Sequence, residues 1–75
     1  MREIIANRLR QCRLEAGLKQ WEVAVYADIT ESAYQHYELM TREPKLSILM
    51  RIADYYGVSL DYLTGRTDKD RKSVV

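Results

Sequence analysis

Residues 20–38, QWEVAVYADITESAYQHYE, carry two helical rhythms separated by a corner too tight to be a linker. Val23, Ala24 and Ala27 fall on one face of a helix from about Gln20 to Ala27. Ala24 is small enough to let another helix cross it closely. A sharp turn between helices needs one residue at positive φ, usually glycine; Asp28 stands there, and Asp tolerates that region at modest cost. Ile29 is placed to plug the corner into the core. Thr30 can accept from the free N–H groups of the next helix, and Glu31 in its first turn suits the helix dipole. Ala33, Tyr34 and Tyr37 form the inward face of a third helix from about Glu31 to Leu39, leaving Glu31, Ser32, Gln35 and His36 on the other side.

On the N-terminal side, Ile5, Leu9, Cys12 and Ala16 recur with the rhythm of one helix face from about Glu3 to Ala16, and Gly17 supplies a left-handed stop. Arg8 and Arg10 read as solvated charges and Cys12 as a small core residue. Lys19 cannot cap the second helix as Ser or Thr would, and Trp21 lies off its buried stripe. On the C-terminal side, Met40 to Lys45 form a polar loop in which Pro44 holds Glu43 extended. A fourth helix follows from about Leu46 to Tyr55, with Leu46, Leu49, Ile52, Ala53 and Tyr56 toward the core, and Gly57 ends it. Ser59 caps a short fifth helix, Leu60 to Leu63, closed by Gly65. Tyr55 and Tyr62 are placed to reach a partner subunit. The expected fold class is therefore all-α: a compact bundle of five short helices. Residues 1–65 form the domain, and residues 66–75, a polar stretch with no capping signal, form a frayed tail.

Seventy-five residues permit one domain. At 47% apolar the chain can fold, although it is small enough for its core to be marginal. A single cysteine allows no internal disulfide, no Cys/His cluster offers a metal site, and no cofactor is expected. The start MREIIANRLR has charges where a signal peptide needs an apolar core, and no run spans a membrane, so a cytoplasmic location is expected. One His, one Cys and no convergent acid/base set leave no plausible active site, which excludes an enzyme. Twelve Lys/Arg against eleven Asp/Glu give a net charge of only +1, less basic than a domain living on phosphates usually is.

A tight helix pair is a geometry that lays one helix in the major groove, but it also occurs in proteins that bind no nucleic acid. The residues go further. GLKQWEVAVYADITESAYQHYE, residues 17–38, resembles the phage-repressor-like (Cro/C1, Xre) helix-turn-helix family, whose pattern is G-L-S-Q-x-x-L-A-x-x-x-G-V-S-x-x-x-I-S-x-x-E. Gly17, Leu18, Gln20, Ala24, Thr30 and Glu38 match, with Val23, Ile29 and Tyr34 as apolar equivalents. The family's second block, P-x-L-x-x-L-x-x-I-A-x-x-x-G-V-S-L-D-x-L, is matched at Pro44, Leu46, Leu49, Ile52, Ala53, Gly57, Val58, Ser59, Leu60, Asp61 and Leu63. The resemblance covers roughly Ile5 to Asp68, nearly the whole chain.

It implies a lambda-repressor-like DNA-binding domain with helices two and three as the helix-turn-helix. The implied function is a sequence-specific transcriptional regulator, repressor-like, of bacterial or phage type, that binds double-stranded DNA as a homodimer. By the same resemblance Glu31, Ser32 and His36 occupy base-reading positions, with Gln35 beside them. Gln20 corresponds to a phosphate-binding glutamine that also braces the recognition helix, and Arg42 and Lys45 to backbone-contacting positions. Arg13 and Glu38 correspond to an ion pair between helices one and three. Departures are Asp28 and Met40, where relatives carry Gly, Glu31, where many carry Arg or Gln, and Tyr34 and Tyr37 in place of aliphatic residues. Glu31 can accept from cytosine N4 or merely favour the helix dipole, and it repels phosphate. With the near-neutral charge it keeps open an alternative: a protein-interaction module, or an antitoxin-like protein with a protein partner, that has the fold but binds DNA weakly or not at all.

Overall fold

Every helix among the described residues is stopped the same way. The computed structural model describes residues 2–68, in five helices: α1 (Arg2–Glu15), α2 (Gln20–Ala27), α3 (Glu31–Glu38), α4 (Leu46–Tyr56) and α5 (Leu60–Leu63). No strand occurs among the described residues. After each helix one residue turns left-handed: Gly17, Asp28, Met40, Gly57 and Gly65, with φ between 60° and 82°. Each makes the paired bonds of a Schellman stop, in which the next N–H reaches back to a carbonyl in the helix's last turn. At the corner, Asp28 N–H donates to Val25 O (3.2 Å) and Ile29 N–H to Ala24 O (3.0 Å). After α3, Met40 N–H donates to Tyr37 O (3.4 Å) and Thr41 N–H to His36 O (3.1 Å). The missing glycines at 28 and 40 therefore leave the backbone path unchanged in kind. Asp28 (φ 60°) and Met40 (φ 66°) adopt the left-handed conformation at a cost of about 1–2 kcal/mol for a residue with a Cβ.

Helix starts follow the side chains. Thr30 Oγ1 accepts from Ala33 N–H (3.1 Å) and Ser59 Oγ from Tyr62 N–H (3.0 Å). Lys19 and Lys45 have no such oxygen and make no side-chain cap. At α2 the deficit is half met by Glu22, whose Oε1 accepts from Lys19 N–H at 2.9 Å. At α4 no side chain caps the first turn.

The core draws Ile5, Leu9 and Cys12 from α1, Val23, Ala24 and Ala27 from α2, and Tyr34 and Tyr37 from α3. Leu49, Ile52 and Ala53 come from α4, and Val58, Tyr62 and Leu63 from the chain beyond it. Leu9, Val23, Tyr34, Ile52 and Leu63 are completely buried, each worth about 1.5–3 kcal/mol against exposure. α3 packs on α1 and α2, α4 on α2, and α5 on α1 and α4, so α3 is backed by two helices.

Four expectations need correction. Ala16 is exposed, because α1 ends at Glu15 and the chain is already turning at Gly17. Leu46 is 63% exposed, because it opens α4 one turn before the helix meets the core. Tyr62 is buried, not free for a partner, and Tyr55 stacks on Tyr26 with ring centroids 4.2 Å apart. Arg8 is not simply solvated: it lies over the Tyr62 ring (4.0 Å) and donates to the Tyr62 and Thr67 carbonyls (2.8 Å each) and to Asp68 (3.3 Å). Most of the tail expected over 66–75 lies outside the described residues.

Candidate nucleic-acid interface

A recognition helix must be held rigidly from behind and left bare in front. Behind α3, Arg13 of α1 forks onto Glu38, with Nε donating to Oε2 at 2.7 Å and Nη2 to Oε1 at 3.0 Å. Arg13 Nη1 also donates to Leu18 O (3.2 Å), and Gln20 Nε2 donates to Glu38 Oε1 (3.2 Å). One carboxylate thus ties α1, α2 and α3 together. Its side chain is 5% exposed and that of Arg13 13%, so the pair is largely out of water. Burial alone pushes the Glu38 carboxyl up; the bond from Arg13, with help from Tyr34 and Gln20, outweighs this and holds it below the ordinary range.

The two tyrosines of α3 fill the space behind it. Tyr34 is fully buried, with its hydroxyl 2.7 Å from that of Tyr56 and 3.5 Å from Leu9 O, and Tyr37 meets its ring edge-on at 6.5 Å. Burial raises the pKa of both Tyr34 and Tyr56 well above the ordinary value, so both are neutral donors in the fold. Among the described residues no buried side-chain nitrogen or oxygen lacks a partner.

In front, Glu31, Ser32 and Gln35 are exposed and His36 is half-buried. His36 Nδ1 lies 2.8 Å from Thr41 Oγ1. Arg42 and Lys45 are exposed on the loop between α3 and α4, and neither side chain has a hydrogen-bond or ion-pair partner among the described residues. Gln20, half-buried, uses one N–H on Glu38 and keeps a second N–H and its carbonyl oxygen. Two contributors escaped the sequence reading. The uncapped start of α4 leaves backbone N–H groups beside Lys45, a setting that favours anions, and the Lys at the cap position was its signal. Thr41, the partner of His36, is recognisable only once Met40 is known to turn the chain back. No cluster of three or more His, Cys, Asp or Glu able to hold a metal occurs among the described residues, and no helix among them is long and apolar enough to cross a membrane.

The helix-turn-helix family model matches residues 9–63, from the middle of α1 through the end of α5. The chain belongs to the helix-turn-helix family. Within that family it is 32% identical over 69 residues to the HTH-type transcriptional regulator ImmR of Bacillus subtilis (strain 168), covering 92% of this chain and 54% of ImmR. It is 40% identical over 60 residues to the HTH-type regulator YqaE of the same organism, covering 80% of this chain and 52% of YqaE. It is also 31% identical over 65 residues to the cryptic phage CTXphi transcriptional repressor RstR of Vibrio cholerae, covering 87% of this chain and 59% of RstR. The chain spans about half the length of these curated relatives. No solved structure matches it. As in the family pattern, α2 and α3 are the helix-turn-helix.

Proposed function

We propose that this helix-turn-helix chain is a non-catalytic, sequence-specific DNA-binding regulator, repressor-like and of bacterial or phage type, that lays α3 in the major groove. The observation that carries the reading is the two-sidedness of α3. Tyr34, Tyr37 and Glu38 fix its back to α1, α2 and Tyr56, while Glu31, Ser32, Gln35 and His36 face outward with side chains suited to base edges. Arg42, Lys45 and the open N-terminus of α4 supply phosphate contacts on one flank, and the remaining N–H of Gln20 supplies another. This local cluster of unpaired donors compensates for a net charge of only +1. One module this small makes few phosphate contacts, so it acts as a homodimer on two half-sites about one helical turn apart. Regulators and repressors among the relatives support the same reading.

Glu31 on the outward face favours a second reading, a partner-protein module that keeps the fold and binds DNA weakly. Fluorescence anisotropy on a pool of random duplexes between about 50 and 200 mM salt separates the two. A regulator binds and loses affinity steeply with salt; an interaction module shows no binding even at the lowest salt.

A further inference from the structure

His36 lies in the last turn of α3, and Thr41 follows the left-handed stop at Met40. That stop carries the threonine back against the helix end. Its Oγ1 lies 2.8 Å from His36 Nδ1 and 3.2 Å from the His36 carbonyl oxygen. A threonine hydroxyl has one proton to give and lone pairs with which to accept. Given to the carbonyl, that proton leaves Oγ1 free to accept from Nδ1–H, and both short contacts become hydrogen bonds. Given to Nδ1, it leaves two oxygens facing each other with no proton between them. The first arrangement makes one more hydrogen bond, a bias of about two- to tenfold between tautomers. Nε2 then stays unprotonated in the neutral ring, and it has no hydrogen-bond partner among the described residues.

We propose that Thr41 is a positioning residue that holds neutral His36 in its Nδ1–H tautomer, so that Nε2 meets the groove as an acceptor and selects a base with an exocyclic amine. Those bases are adenine, through N6, and cytosine, through N4. Guanine N7 and O6 and thymine O4 only accept, so they set lone pairs against Nε2; the opposite tautomer would reverse the preference. This rests on α3 being the groove-facing helix.

The chain has one histidine, so its ring signals need no assignment. A long-range ¹⁵N–¹H spectrum of the singly protonated ring is expected to show Nδ1 carrying the proton. Thr41→Val moves the proton to Nε2, and Thr41→Ser keeps the wild-type pattern. In duplex selection the wild type favours A or C at one position per half-site by about two- to tenfold, Thr41→Val shifts that position toward G or T, and Thr41→Ser does not. A wild-type ring protonated at Nε2, a spectrum that Thr41→Val leaves unchanged, or a base preference that ignores a changed spectrum each overturns the proposal. Absence of salt-dependent binding to any duplex refutes the groove-facing helix itself and the base preference with it, while the spectrum still decides the tautomer.

Discussion

Arg13→Ala probes the anchor of α3 directly. The guanidinium makes two charge-assisted bonds to Glu38, at 2.7 and 3.0 Å, and its removal leaves the carboxylate, 5% exposed, with the 3.2 Å bond from Gln20 and the neutral Tyr34 hydroxyl but no cation. Stranding one charge of a buried pair costs about 3–5 kcal/mol. Arg13 itself is 13% exposed, so water reaches part of the vacated space and the low end, about 3 kcal/mol, applies. A domain of 75 residues has roughly 4–11 kcal/mol in all, so this one truncation removes a quarter or more of it. The loss also depends on pH. The folded pKa of Glu38 is lowered, so the pair's contribution is fully present above the ordinary carboxyl range and fades as pH falls through that lowered value. Without Arg13, burial favours the protonated acid. Urea unfolding followed by circular dichroism should therefore give a difference of about 3 kcal/mol between wild type and Arg13→Ala at pH 7, and a clearly smaller one near pH 3.5. A double variant, Arg13→Met with Glu38→Leu, should be more stable than Arg13→Ala alone. A cost below about 1 kcal/mol at pH 7, the worth of a surface pair, or an equal cost at both pH values, would refute the anchor.

Met40→Gly should stabilise the fold by up to about 1 kcal/mol, the relief of a left-handed side chain less the added freedom of the unfolded chain, read as a higher urea midpoint. Tyr34 and Tyr56 have folded pKa values raised by burial, so stability present below about pH 10 is lost as pH rises beyond it; Tyr34→Phe should flatten that alkaline loss in thermal melts. Arg42→Ala should weaken binding to all duplexes alike and lower the salt slope by about one, and Gln20→Ala should likewise weaken all sequences. Ser32→Ala should instead change which duplex is preferred; equal behaviour of the two classes in anisotropy titrations would undo the division of roles.

Helix number and order were legible because each helix carries its own stop and, in α3 and α5, its own cap; Thr30 and Ser59 act locally, and local chemistry is written in order along the chain. The face of α3 was legible too, since Tyr34 and Tyr37 can hardly share a side with Ser32 and Gln35 without exposing two rings. What escaped were contacts across the chain. Arg8 on Tyr62 and Thr67 joins residues more than fifty positions apart, and no periodicity reports that. Leu46 fits the apolar rhythm of α4, but rhythm does not say where a helix first touches the core. The Tyr34–Tyr56 hydroxyl pair answers how aliphatic positions accept tyrosines, and only the fold, which brings residues 22 positions apart to 2.7 Å, reveals it.

Selection of bound duplexes from a random pool, at about 50 mM salt, tests most directly whether α3 reads DNA. Enrichment of a two-fold symmetric site, with half-sites about one helical turn apart and a preference altered by changes at Ser32 or His36, is the predicted result. A pool that emerges unenriched, from a protein whose fold is intact, would contradict it.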